Sequence, residues 1–209
     1  MRNKFQHHPI THSSVTHHAK IVLLTVLLLT PLLNGCVGFL AGAATGAVVA
    51  HDERPASTML EDETIEVKAK EALYHDPKLD KKIHINVTSY NHVVLLTGEI
   101  LSHELRDYAV DIVSKVENVK RIYNEVIVAD LSTFASRSND TWITTKVKTD
   151  MLGAKGFDSS RVKVLTERGT VYLMGIVSTQ QGNRAAEIAS KIEGVKKVVK
   201  MFEYVSTLT

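Results

Sequence analysis

The chain repeats itself, so any fold proposed for it has to be one that can be built twice. The pattern Ile65/Ala69/Leu73 returns as Ile143/Val147/Met151 after 78 residues, Leu96-Thr97-Gly98 returns as Leu173-Met174-Gly175 after 77, and the run Lys115–Ile122 returns as Lys191–Val198 after 76. Three landmarks in one order at a nearly constant offset define two copies of one small domain, 61–130 and 139–209, joined by a linker at 131–138. Each copy reads alike. A helix is followed by an alternating strand (Ile83/Ile85/Val87, then Val162/Val164), a tight turn (Tyr90-Asn91-His92, then Glu167-Arg168-Gly169) and a partner strand that points Val94/Leu96 or Val171/Leu173 inward. A second helix with Leu105, Tyr108, Ala109, Ile112 and Val116 on one face, matched by Ala185, Ile188 and Ile192, leads into a last strand, Val119–Val128 or Val195–Val205. The order α-β-β-α-β predicts an α+β fold, a three-stranded mixed sheet with both helices on one face. Domains of about 70 residues bury modest cores, a reason for the copies to lean on each other.

The helix that opens the second copy, Asn139–Leu152, carries more apolar surface than its own core needs. With Trp142 at 0°, Ile143, Val147 and Met151 fall at about 100°, 140° and 180° and form the core stripe. Thr149, Thr145 and Leu152 fall with Trp142 on the opposite arc, at about 340°, 300° and 280°, flanked by Lys146 and Lys148. An exposed Trp/Leu seam edged by lysines suits a membrane surface. Packing of Trp142 against a neighbouring domain is the competing reading, since most tryptophans are largely buried.

The segment 1–35 reads as an export signal. Arg2, Lys4 and Lys20 precede the 13-residue apolar run Ile21–Leu33, too short to span a bilayer and broken by Pro31, which ends in Leu33-Asn34-Gly35-Cys36. The segment 36–60, first rich in Gly and Ala and then polar with Pro55, shows no helix or strand period and reads as a tether. Cys36 is the single cysteine, so no internal disulfide is available in an oxidising compartment. Beyond Gly35, acidic residues outnumber basic ones by one. The excess is unevenly shared: residues 36–138 hold 11 basic and 16 acidic side chains, residues 139–209 hold 11 and 7. Anionic headgroups would attract the second copy and repel the first.

Leu33–Cys36 resembles a bacterial lipobox, in which the cysteine is acylated after cleavage. Two units of this kind behind it, each with a glycine closing the second strand (Gly98, Gly175) and a helix-to-strand junction of the form [VI]-x-[NG]-V-x-x-[IV], resemble the dual BON-domain lipoproteins; Asn139–Val147, NDTWITTKV, is the most specific segment. The resemblance implies a non-enzymatic outer-membrane lipoprotein, anchored through Cys36 and facing the periplasm. It further implies binding of anionic phospholipid through the second domain and a part in envelope integrity, with enrichment at division sites. Carried over by position, Trp142, Val147 and Leu152 are the apolar lipid contacts, with Lys146, Lys148, Thr145 and Thr149 beside them. A protein adaptor for outer-membrane protein assembly or cell-wall contact is the alternative.

No catalytic constellation appears. His51, His75, His84, His92 and His103 have neither helical i, i+4 partners nor cysteine company and read as isolated surface residues, and no phosphate-loop motif occurs. The near-neutral charge lacks the basic footprint of a nucleic-acid binder. The expectation is a monomer with no enzyme activity, no metal and no cofactor beyond covalent lipid on Cys36.

Overall fold

The computed structural model describes residues 54–205; the export signal, Cys36 and most of the tether lie outside them. The elements run α1 Ala56–Tyr74, β1 Ile83–Tyr90, β2 Val93–Ile100, α2 His103–Ser114, β3 Arg121–Val128, α3 Phe134–Gly153, β4 Lys163–Glu167, β5 Thr170–Val177, α4 Thr179–Ser190 and β6 Lys197–Tyr204. Each copy is α-β-β-α-β. In each sheet the middle strand, β2 or β5, pairs antiparallel with the strand before it and parallel with the strand after the second helix. Two-residue hairpin loops of type I′ demand positive φ at both central positions, and Asn91/His92 (52° and 64°) and Arg168/Gly169 (52° and 78°) supply it.

Two boundaries differ from the sequence reading. Helix α1 begins at Ala56, inside the segment read as tether, and α3 begins at Phe134, inside the segment read as linker. The cause at α3 is local: the Thr133 hydroxyl accepts from Ser136 N and starts the helix at Phe134, five residues before Asn139, where the apolar pattern alone would open it.

One face of each sheet meets its own helices. Ile65, Ala69 and Leu73 of α1 pack on Ile85, Val87, Val94 and Leu96 with Ala109 and Val113 of α2, and Ile143, Val147 and Met151 of α3 pack on Val164, Val171 and Leu173 with Ala185 and Ala189 of α4. The opposite faces meet each other. Tyr90, Leu95, Tyr172 and Met174 form a third core, bordered by Val93, Leu165, Ile176, Val199 and Met201. Middle strands buried on both sides follow from this, and all of β2 after Val93 is buried. The glycines closing the middle strands allow close backbone approach: a Cβ on Gly98 would stand 1.9 Å from the His84 carbonyl oxygen, and one on Gly175 2.2 Å from that of Arg161.

A buried carboxylate ties each opening helix to its hairpin. Asp62 accepts from the amides of Asn91 and His92 at 2.7 and 2.8 Å and from the Ser89 hydroxyl at 2.6 Å. Asp140, at the repeat offset of 78, accepts from the amides of Arg168 and Gly169 at 2.9 and 2.8 Å. Stranding a buried amide costs about 1–3 kcal/mol, so Asp140→Ala should lower the melting temperature by about 5 °C or more. Thr141→Ala, one exposed position along, should leave the melt close to wild type. Circular-dichroism melts of the two variants check this.

Candidate functional site

The outer face of α3 carries the exposed apolar seam. Trp142 is 50% and Leu152 77% exposed, so the tryptophan is neither a core residue nor an interdomain wedge. Val147 is wholly buried between Ile143 and Met151 and cannot touch a surface while the domain is folded; its assignment as a lipid contact is corrected. Phe134 replaces it. At about 280° on the same wheel, it stands in line with Leu152 and is 78% exposed. It falls within the 131–138 segment that reads as linker, although Thr133 followed by Phe134 is a legible helix start.

Threonines fill the seam between these apolar residues, and each meets its own hydrogen-bonding need. Thr141, Thr145 and Thr149 donate to the carbonyls of Arg137, Thr141 and Thr145 at 3.0, 2.9 and 2.9 Å. Turned inward in this way, they present methyl groups outward and lower the cost of removing this face from water. Lys146 pairs with Asp150 at 2.7 Å, whereas Lys148 makes no ion pair among the described residues. The face is therefore apolar along its middle and basic along the Lys148 edge.

A second constellation lies where the two domains meet. His84 and Glu99 are cross-strand partners on β1 and β2, and Glu167 comes from the end of β4 in the other domain. Glu99 is fully buried; its oxygens accept from Arg168 Nη1 at 3.1 Å and Ser132 N at 3.2 Å, and His84 Nδ1 lies 3.2 Å away. Glu167 accepts from Asn86 Nδ2 at 2.8 Å. His84 is thus no isolated surface histidine, and neither is His92, which is buried with Nε2 2.6 Å from Glu61. His75 and His103 are exposed as expected. Further polar bonds cross between the domains, from Lys163 Nζ to Glu66 at 2.7 Å and from Asn91 Nδ2 to Glu203 at 2.8 Å.

Comparison with known proteins places this architecture. The BON domain model matches residues 61–130 and 139–206. The chain belongs to the BON-domain family. It is 42% identical over 176 residues to outer membrane lipoprotein DolP of Haemophilus influenzae, covering 84% of this chain and 91% of that one. It is 36% identical to the 21 kDa hemolysin of Actinobacillus pleuropneumoniae, over 74% and 79% of the two chains, and 30% identical to osmotically-inducible protein Y of Escherichia coli, over 84% and 91%. The fold is that of two BON repeats, and these relatives support an outer-membrane lipoprotein of the BON family. Among the described residues no helix is long and apolar enough to cross a membrane.

Burial, opposed by the bond from Asn86 and reinforced by the nearby charges of Glu99 and Asp140, pushes the Glu167 carboxyl up from 4.5 to about 7. In the unfolded chain this group titrates near 4.5. Between those values the folded protein holds the extra proton, so the group's contribution favours folding at low pH and is lost as pH rises toward 7. Glu167→Gln should remove this dependence. In chelator-treated protein, the melting temperature of the variant relative to wild type should climb between about pH 5 and pH 8, and a pH-independent difference would contradict the assignment.

Proposed function

We propose that the protein binds anionic phospholipid through the outer face of α3, with acylated Cys36 as its anchor and the tether giving the domains reach to the periplasmic surface of the outer membrane. The observation that carries this reading is the seam of Phe134, Trp142 and Leu152, exposed on a rigid helix and separated only by self-bonded threonines. Lys146, Lys148 and the basic balance of residues 139–209 supply electrostatic attraction, each basic group near an anionic surface adding about 1 kcal/mol. Several acyl chains on one residue hold firmly where a single chain holds only marginally, so the seam orients a protein that the lipid already retains. A role in envelope integrity, with enrichment at division sites, fits a binding module of this kind, and no catalytic step enters the reading. The acidic first domain, repelled by the same headgroups, is left facing the periplasm, where a partner such as outer-membrane assembly machinery would meet it.

Trp142→Glu tests the proposal on the fragment 51–209, which falls within the compact unit Val49–Thr209. An indole buried in an interface contributes roughly 1.5–3 kcal/mol, and a carboxylate in its place is repelled and costly to desolvate. Co-sedimentation with phosphatidylglycerol vesicles should be lost, the melting temperature should stay unchanged, and Phe134→Ser should weaken binding in the same sense. Vesicle binding by Trp142→Glu at wild-type strength would refute the assignment of this face.

A further inference from the structure

His84, Glu99 and Glu167 each offer one ligand atom, and these atoms all lie within 4.8 Å of one another. Their backbones are fixed: His84 and Glu99 face each other across the β1–β2 ladder, and Glu167 ends β4 at its hairpin. The side chains are held as well, Glu99 by Ser132 N and Glu167 by Asn86, in the way that hydrogen-bonded neighbours orient metal ligands. Once Glu167 is ionised, negative charge outweighs positive here. Two carboxylates lie side by side in a buried setting, and Arg168 is the one cationic side chain bonded to either among the described residues, apart from the titratable His84. Asp140, close by, is engaged with the hairpin amides and adds to the negative side.

We propose that these three residues bind a divalent transition-metal ion, with zinc as the best-fitting occupant, and that the ion staples the two BON domains together. One imidazole and two carboxylates are a three-ligand set suited to zinc, with a fourth position open to water. A cleft of about 480 Å³ lined by His84, Asn86, Arg137, Thr144 and Glu167 gives access to two of the three ligands, and Glu99 lies outside its lining, fully buried. Arg168, 44% exposed at its side chain, gives up its bond to Glu99 and turns to solvent when the ion enters. The site joins β1 and β2 of the first domain to β4 of the second, so binding stabilises the domain pair rather than either domain alone. The cleft shares Thr145 and Lys148 with the outer face of α3, but none of the three ligands lies on that face.

Titration of tag-free, chelator-treated 51–209 with zinc chloride tests it, since this fragment lacks His7, His8, His12, His17 and His18. One zinc per chain should bind, and the melting temperature should rise with zinc concentration. His84→Ala and Glu167→Gln should each weaken binding by about tenfold or more, although Glu167→Gln without metal melts no lower than wild type. Arg168→Gln, which removes the competing cation, should tighten it. Trp142→Glu should leave zinc binding unchanged. Absence of saturable one-to-one binding overturns the proposal, and so does zinc affinity that survives both His84→Ala and Glu167→Gln, which would place the ion on exposed histidines such as His75 or His103.

Discussion

The bond from a buried carboxylate on the opening helix to the two amides of a hairpin turn governs the rest of each domain. A tight turn leaves those amides pointing inward with no strand partner, and Asp62 and Asp140 supply the acceptor. The bond also fixes how the helix is rotated. Asp140 sits at about 160° on the wheel that places Trp142 at 0°, so a carboxylate held inward forces the tryptophan outward. The same rotation in the first domain turns out Leu60, Val67 and Tyr74. What differs is the chemistry on the face: Thr64 stands where the second domain has Trp142, and Glu63 and Glu71 stand where it has Thr141 and Thr149. One scaffold thus presents an exposed Trp/Leu face on one helix and a glutamate-bearing face on the other.

Back-to-back packing of the sheets explains why the helices are free to act outward. Each sheet has a face left over once its own helices are in place, and a domain of about 70 residues cannot leave so much apolar surface wet. Leu95, Tyr172 and Met174 settle this by burying those faces against each other. The interface is apolar at its centre and polar at its rim, where Glu66, Glu99, Glu167, Lys163 and Arg168 meet. These contacts join residues far apart in sequence, Lys163 with Glu66, Arg168 with Glu99 and Asn86 with Glu167.

The repeat made the fold legible. Element order, the inward residues of the middle strands and the positive-φ turns follow from patterns of period two and from the 78-residue offset. The wheel set Trp142 and Leu152 on the arc opposite the core but left packing of the tryptophan against the other domain open, and it set Val147 in the core, against the residue carried over from the family. Harder to see was anything that depends on both domains at once. Leu95, Tyr172 and Met174 look like outward strand residues until a second sheet is placed on them, and His84 looks solitary because Glu99 lies 15 residues away and Glu167 in the other copy. Asp62 and Asp140 were discoverable, since the repeat offset aligns them, but an isolated aspartate in a helix reads as solvated surface. Phe134 was lost to a boundary, the least periodic part of a helix.

The central claim, that the outer face of α3 enters an anionic membrane, is open to direct observation because Trp142 is the single tryptophan of the chain. Its emission in 51–209 should shift to the blue when phosphatidylglycerol vesicles are added, should be quenched by brominated acyl chains in those vesicles, and should return on addition of salt as screening weakens the attraction. Emission that stays unshifted and unquenched at saturating anionic lipid, with the protein folded throughout, would contradict the account.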